Sequence, residues 1–195
     1  FQVNACQLSG DGVRLQYVEG ETLEEHLDAL LEAGQTEEAA RQLKAYLHQI
    51  ESVYSDEAFF MTEEFKELFG EPELPEGLRC GAVTNIDLVC ENLVLTNPPT
   101  VLDYEWTFDF PIPCRYVLYR VIHYYTETHT VRKALDSQAL FAAFGMTEEE
   151  RGLYREMEKR FQQSLTKGHV PMRELYADMC PGIMEMRLIH EEKLQ

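Results

Sequence analysis

Apolar residues alternate with polar ones at the start of the chain and then change to a helical spacing. Short alternating stretches at 1–8 and 13–18 flank Ser9-Gly10-Asp11-Gly12, whose residues favour a tight turn, so the pattern predicts a β-hairpin. Thr22 and Glu25 then have the spacing of a capping box, and apolar residues follow at helical intervals. The first helix is therefore predicted to begin after Thr22.

A second helix is predicted to follow, with Thr36 as its N-cap. Its apolar face consists of five residues at helical spacing: Ala40, Leu43, Leu47, Ile50 and Tyr54. A short third helix is predicted at Thr62–Phe69, before a stretch at 70–77 whose glycines and prolines indicate a loop. Asn97-Pro98-Pro99 divides the β-type apolar residues of 81–106 and predicts two strands there.

The second half of the chain returns to helical spacing. Helices are predicted at 113–129, at 136–144, from Thr147 to about 165, at 171–179 and at 184–195. Strands and helices therefore occupy separate stretches rather than alternating, which predicts the α+β class. The charged segment 184–195 is typical of the entry to a coiled coil, which makes it a candidate element for oligomerisation.

Composition narrows the classes of partner. The chain has 195 residues, of which 45% are hydrophobic, enough for a sizeable core. Asp and Glu number 35 against 17 Lys and Arg, and the net charge of −18 excludes nucleic acid and anionic membranes as main partners. No apolar stretch reaches the ~20 residues of a transmembrane segment. Five widely spaced cysteines without a CxxC motif are typical of reduced thiols, so a cytoplasmic location is expected.

Three polar residues in the strand region form a candidate site for phosphoryl transfer. Asp87 precedes Asn92 by five residues in a loop that leads into a strand, and Asp103 ends a neighbouring strand eleven residues later. Phosphoryl transfer requires a carboxylate that accepts the proton of the attacking hydroxyl, and an amide and a carboxylate that hold Mg²⁺ on the phosphates. Protein kinases supply this set as H-R-D-x-x-x-x-N followed by D-F-G. The three residues match that set in spacing and in strand context.

With these residues the chain resembles the C-terminal lobe of the protein-kinase-like fold, in the branch of the choline/ethanolamine kinases and aminoglycoside phosphotransferases. In that branch the second motif often reads D-[FY]-E, as Asp103-Tyr104-Glu105 does, and an F-D-[IFL] sequence follows, as Phe108-Asp109-Phe110 does. The segment 15–23 is similar to the hinge between the two lobes of these kinases, an apolar strand followed by E-G-x-[ST]-L and a helix. The resemblance covers about residues 1–145.

The resemblance implies a role for each site residue, with ATP as the phosphate donor and Mg²⁺ as the cofactor. Asp87 would accept the proton of the acceptor hydroxyl, whereas Asn92 and Asp103 would hold Mg²⁺. Tyr17 and Val18 would lie at the adenine of ATP.

The same resemblance divides the chain into a hairpin and interlobe hinge at 1–20, a kinase-like C-lobe at 21–183, and the start of a helical or coiled-coil extension at 184–195. It also implies that Asp109 is a structural acid that steadies the catalytic loop. Glu105 either assists the metal or caps a turn, and the sequence leaves both roles open.

Two departures from the family limit what the resemblance implies. Asn85 stands where the family has a histidine two residues before the catalytic aspartate, which changes the support of the loop. No lysine precedes Lys44, and Gly10-Asp11-Gly12 lies too close to the hinge to be a phosphate-binding loop. Since the chain also begins at Phe1 without an initiator methionine, we expect a piece of a longer protein that lacks the N-lobe and is inactive on its own.

Two functions remain open. The first is an ATP- and Mg²⁺-dependent phosphotransferase that acts on a small hydroxyl acceptor, a sugar or an amino alcohol. Residues 103–119 also resemble a segment of large bacterial glycosyltransferases that assemble surface polysaccharides. The second is therefore a non-catalytic binding or scaffolding module of such a protein. Trp106, Tyr116 and Tyr119 either form an aromatic cage for a quaternary ammonium group or pack in the core.

Overall fold

The computed structural model describes residues 1–10 and 12–166, so the helices predicted at 171–179 and 184–195 lie outside the described residues. This part of the chain contains both helices and short strands, which confirms a mixed α+β architecture. The helices are α1 Leu23–Glu32, α2 Thr36–Val53, α3 Glu63–Phe69, α4 Cys114–Thr128, α5 Ser137–Ala143 and α6 Glu148–Leu165. None of the helices in these ranges has both the length and the apolar composition that crossing a membrane requires.

The strands are short and pair in small sheets. They are β1 Gln2–Val3, β2 Cys6–Ser9, β3 Gly12–Leu15, β4 Glu57–Ala58, β5 Arg79–Cys80, β6 Thr84–Asn85, β7 Leu93–Val94, β8 Thr100–Val101 and β9 Thr107–Phe108. β8 lies between β1 and β7, whereas β2–β3, β4–β5 and β6–β9 form separate pairs. Two 3₁₀ turns, Cys90–Asn92 and Thr130–Ala134, complete the described elements.

Helices begin close to the residues that the sequence predicts, and side chains cap some of their N-termini. The Thr22 side chain accepts a hydrogen bond from the Glu25 backbone, and the Glu25 side chain accepts one from the Thr22 backbone, which completes the capping box of α1. Thr147 caps α6 through its side chain. The prediction for α2 is wrong by one residue, because Thr36 is the first helical residue and the N-cap, Gln35, makes no side-chain cap.

The hairpin forms, but it is shorter than the sequence predicts. β2 and β3 pair antiparallel, with Leu8 opposite Val13 and with Gly10 in the left-handed region at φ 60°. The strand predicted over 1–8 is divided, because β1 leaves the hairpin and pairs in parallel with β8. A partner so distant in sequence gives no local signal, and the pattern therefore predicted one continuous strand.

Two antiparallel ladders flank the loop that contains Asp87. β6 pairs with β9, and β7 pairs with β8 on either side of the predicted break at Asn97-Pro98-Pro99. Because β6 precedes the loop and β7 follows it, the ladders fix both of its ends. They also place the segment between β8 and β9, which contains Asp103, beside the loop.

Helix α4 lies at the centre of the core and contacts this loop through Arg120. Ten of its fifteen residues are buried, and it packs against α2, α5 and α6. A helix that is buried on nearly all sides is typical of a core position. Tyr116 and Tyr119 belong to this core, which agrees with the packing alternative and not with an aromatic cage.

Candidate functional site

The loop between β6 and β7 brings two of the three predicted site residues into contact. The side-chain amide of Asn92 donates hydrogen bonds to the backbone oxygen of Asp87 and to its carboxylate Oδ2, both at 3.0 Å. The contact forms because the 3₁₀ turn Cys90–Asn92 folds the chain back toward Asp87. Since Nδ2 of Asn92 faces Asp87, its Oδ1 is the atom that can bind a metal ion.

Asp103 is joined to the same loop through Asn85. The Asn85 side chain accepts a hydrogen bond from the Asp87 backbone at 2.9 Å and donates one to the Asp103 backbone oxygen at 3.2 Å. A second link runs from the Leu102 backbone N–H to the Asn92 backbone oxygen at 2.9 Å. The Asn85 side chain thus connects the two candidate segments.

Burial and neighbouring charges raise the pKa values of two acids of the loop. Burial is the main cause that raises the pKa of Asp87 above its ordinary value, while Arg120 opposes the rise and Asp103 adds to it. Burial also raises the pKa of Glu91, with further contributions from the charges of Glu24 and Asp87. A carboxylate with a raised pKa holds an accepted proton more firmly, which suits a general base.

A buried ion pair lies behind Asp87, and the sequence patterns did not predict it. Arg120 of α4 donates to both carboxylate oxygens of Glu158 in α6, at 3.0 and 2.8 Å, and to Oδ1 of Asp87 at 3.2 Å. Burial alone would raise the pKa of Glu158, but Arg120 and the surrounding hydrogen-bond donors lower it below its ordinary value. The one available signal was a single arginine within the otherwise uncharged stretch 116–122.

Asp109 does not support the loop in the way that the resemblance implies. Its side chain is exposed, and within 1–10 and 12–166 it has no hydrogen-bond or ion-pair partner. Glu158 reaches the loop instead, through Arg120. Glu105 donates its backbone N–H to Oδ1 of Asp103 at 3.4 Å, which is a contact within the turn.

A cavity of about 210 Å³ opens beside Asp87. Trp106, Tyr124 and Phe161 line it with aromatic rings, and Glu91 adds a second carboxylate. This volume lies below the ~300–1,000 Å³ that is usual for the pockets of drug-sized ligands. The cavity therefore fits a small molecule next to the predicted base.

A second groove, of about 300 Å³, lies on the side of the loop where Leu88 and Asn85 are found. Val83 lines it just before β6, and the other lining residues, which include Phe1, Tyr54 and Tyr104, come from the N-terminal strand, the end of α2 and the β8–β9 segment. The groove is more apolar than the cavity and lies between strands β1 and β8 and the site loop.

The predicted adenine-binding residues do not line this groove. Tyr17 is 87% exposed, and Val18 is partly buried. The segment that follows them nevertheless contacts the strand after the site loop, because the Leu95 backbone N–H donates to the Glu21 oxygen at 2.9 Å. Their role at a nucleotide stays a prediction.

Asn92 and Asp103 fit a metal ion that arrives with phosphate. Among residues 1–10 and 12–166, no group of three or more His, Cys, Asp and Glu side chains is arranged to hold a metal ion. These two residues offer an amide oxygen and a carboxylate, and Mg²⁺ in phosphoryl-transfer sites takes its remaining ligands from phosphate and water. The donor set therefore suits a shared metal site rather than one built by protein alone.

Comparisons with protein-family models, with curated proteins and with solved structures found no match to this chain. Any function assigned to it rests on the chemistry of its own residues.

Proposed function

We propose that this chain is the C-lobe of a protein-kinase-like phosphotransferase, which moves the terminal phosphate of ATP to the hydroxyl group of a small acceptor. The observation that carries the proposal is the contact between Asp87 and Asn92 in a loop that Asn85 joins to Asp103. Phosphoryl transfer needs one carboxylate at the acceptor and an amide–carboxylate pair at the metal. The two ladders around the loop, β6–β9 and β7–β8, support a kinase-like scaffold.

In this mechanism Asp87 accepts the proton of the acceptor hydroxyl. As the proton moves to a carboxylate oxygen, the hydroxyl oxygen forms a bond to the terminal phosphorus, and the bond from that phosphorus to the bridging oxygen breaks to release ADP. Asn92 and Asp103 would hold Mg²⁺, which would neutralise phosphate charge. The raised pKa of Asp87 favours the proton transfer.

The cavity beside Asp87 is the proposed acceptor site. Its volume of about 210 Å³ suits a single sugar ring or a small amino alcohol. Rings such as Trp106 and Tyr124 offer flat apolar faces to a sugar, and Glu91 offers a carboxylate to a hydroxyl or an amine. By the resemblance of residues 103–119, the longer protein that contains this chain, here called the parent protein, would be a cytoplasmic protein that assembles bacterial cell-envelope glycans.

A second candidate function is a non-catalytic binding or scaffolding module of such a glycosyltransferase. The observation that favours it is that both carboxylate oxygens of Asp87 are engaged. Arg120 binds Oδ1 at 3.2 Å, and Asn92 binds Oδ2 at 3.0 Å. A carboxylate held in this way also suits a purely structural role.

Two substitutions separate the functions, in the protein expressed with whatever sequence flanks these residues in its gene. Asp87→Asn should lower phosphate transfer by ~10²–10⁴-fold, as for loss of a general base, and should leave binding of Mg-ATP intact. Asp103→Asn removes a charged metal ligand, so it should weaken the Mg²⁺ dependence of ATP binding. Asp109→Asn is the matched control, because the Asp109 side chain is exposed, and it should change neither property.

Thermal unfolding with ATP, with and without Mg²⁺, measures the binding, because a ligand that binds only the folded state raises stability by RT ln(1 + [L]/Kd). Transfer of labelled phosphate to panels of sugars and amino alcohols measures the activity. A protein with both lobes folded that shows no thermal shift with Mg-ATP would reject the catalytic function and favour the scaffold.

A further inference from the structure

The proposed base is held by a buried ion pair from two helices. Arg120 and Glu158 are only 3% and 7% exposed. Besides Arg120, the Glu158 carboxylate accepts hydrogen bonds from the Tyr116 hydroxyl at 2.8 Å, the Tyr124 hydroxyl at 2.7 Å and the Gln162 amide at 2.9 Å. With donors on both of its oxygens, the carboxylate is fixed in place.

Arg120 divides its guanidinium between two carboxylates. Nη1 donates to Glu158 and Nη2 donates to Asp87, while Nε has no hydrogen-bond partner among the residues that the structure describes. The rings of Tyr124 and Phe161 lie 5.2 and 5.3 Å from the guanidinium carbon and restrict its movement. A buried ion pair is often no more stabilising than well-packed apolar residues, because both charges lose their hydration. The presence of the pair is therefore weak evidence for a role in stability.

The arrangement fixes the direction of the Asp87 carboxylate. Arg120 holds Oδ1 and Asn92 holds Oδ2, so a rotation of the group would break both hydrogen bonds. The acceptor cavity opens at the same place, and Arg120 lines it together with Asp87. The connection from α6 through α4 to the loop therefore ends at the group that would meet the acceptor hydroxyl.

We propose that Arg120 and Glu158 are positioning residues of the phosphotransferase. Glu158 holds Arg120, and Arg120 holds the Asp87 carboxylate in the orientation from which it takes the proton of the acceptor. This inference rests on the proposed function, because Asp87 is positioned for catalysis only if it is the base. The physical connection from Glu158 to the loop does not depend on that function and is tested separately.

The kinetic test is Arg120→Lys. Lysine keeps the charge, but its single ammonium group replaces a planar fork that spans both carboxylates. We expect kcat for phosphate transfer to fall by ~10²-fold, as for a catalytic group displaced by about 1 Å, while KM for Mg-ATP stays unchanged. Arg41→Lys makes the same change in an exposed ion pair with Glu38 and should leave both constants unchanged. An unchanged kcat in Arg120→Lys would overturn the inference.

The structural test does not require a protein that transfers phosphate. The side-chain amide signals of Asn92 in a ¹⁵N NMR spectrum report its contact with Asp87, so Arg120→Lys should shift them and Arg41→Lys should not. If Arg120→Lys does not fold, Glu158→Gln replaces it, because glutamine keeps an acceptor oxygen and removes the charge that holds Arg120. The exposed Glu156→Gln, on the same helix, is the control for that variant.

Each outcome decides the inference. A parent protein that transfers no phosphate refutes the proposed function, and the Asn92 signals then decide the connection by themselves. Unshifted Asn92 signals in a folded variant overturn the inference whether or not the parent is active. Shifted signals together with a lower kcat support it, whereas shifted signals in an inactive protein leave a structural connection and reject the positioning of a base.

Discussion

Arg132 joins the 3₁₀ turn after α4 to helix α1, and its removal should destabilise the fold. The side chain is only 1% exposed. Nε and Nη2 donate to the two oxygens of Asp28 at 2.7 and 2.6 Å, and Nη2 also pairs with Glu24 at 2.9 Å. The guanidinium lies over the Tyr125 ring, 4.5 Å from its centroid. One buried cation therefore compensates two carboxylates.

Arg132→Met retains apolar bulk but leaves Asp28 and Glu24 without their cation. Removal of one partner from a buried ion pair typically costs ~3–5 kcal/mol. The two carboxylate side chains are 25% and 26% exposed, and water can therefore replace part of the lost interaction. We accordingly expect the lower end of that range, about 3 kcal/mol. For a chain of this length each kcal/mol corresponds to ~2–4 °C, so Tm should fall by about 6–12 °C.

Urea unfolding at pH 7 measures the loss in free energy of unfolding. Arg41→Met is the control, because it breaks an exposed ion pair with Glu38 and should cost no more than about 1 kcal/mol. Equal losses in the two variants would refute the assignment of Arg132 as an anchor between α1 and the turn.

The pH dependence gives an independent check. Burial alone would raise the pKa of Asp28, but its hydrogen bond and ion pair with Arg132 lower it in the folded state. A group whose pKa is lowered by folding stabilises the protein above its unfolded pKa, and this contribution disappears as the pH falls through the folded pKa. The difference in free energy of unfolding between the unsubstituted protein and Arg132→Met should therefore shrink in acid, below the ordinary pKa range of an aspartate. A difference that stays constant as the pH falls through and below that range would contradict the assignment.

Two further pairs of substitutions test the packing and the backbone by the same urea measurements. Leu43→Ala, at a fully buried position in α2, should cost ~2–5 kcal/mol, whereas Leu8→Ala, which is 87% exposed, should stay within ~0.5 kcal/mol. Gly152→Ala should stabilise helix α6 by ~0.5–1 kcal/mol, because open space surrounds that glycine. Gly34→Ala should destabilise by ~1–2 kcal/mol, because Gly34 has a φ of 72° although nothing crowds it. Similar losses at the two leucines, or the same sign at the two glycines, would show that burial or backbone conformation does not determine these effects.

Signals that lie within a few residues of one another predicted the helices well. The capping box of Thr22 and Glu25 occupies four consecutive residues, and α1 begins directly after its first member. The sequence predicts Thr36 as the N-cap because threonine favours that position, but this preference does not fix the exact residue at which a helix begins. The structure places it one residue inside α2, where the start of the helix has no side-chain cap.

Pairings between distant segments could not be predicted in the same way. β1 pairs with β8, and β6 pairs with β9, but each of these strands has only two residues. An alternation of apolar and polar residues needs about four to eight residues to be recognised. The small sheets around the site therefore depend on tertiary contacts that the sequence pattern does not contain.

The candidate site likewise combines a local contact, which the sequence predicts, with contacts between distant segments, which it does not. The contact of Asp87 with Asn92 follows from a spacing of five residues, which a single 3₁₀ turn can close. Arg120 and Glu158 come from two separate helices, and only the packing of α4 against α6 brings them behind the loop. A sequence motif can therefore predict the polar side chains of this loop but not the charged side chains of the helices that orient them.

Under the proposed function, the charge distribution should make the binding of a nucleotide depend on the metal. The net charge is −18, and two of the cations, Arg120 and Arg132, are buried and each paired with two carboxylates. Neither can offer its charge to an incoming triphosphate without leaving acids unpaired in the interior. The site loop itself presents Asp87 and Glu91, with Asp103 beside them, so its field repels a free nucleotide. The same field would attract Mg²⁺ and a cationic group on an acceptor, so binding of ATP should depend on the metal more steeply here than in a site that has its own free cation.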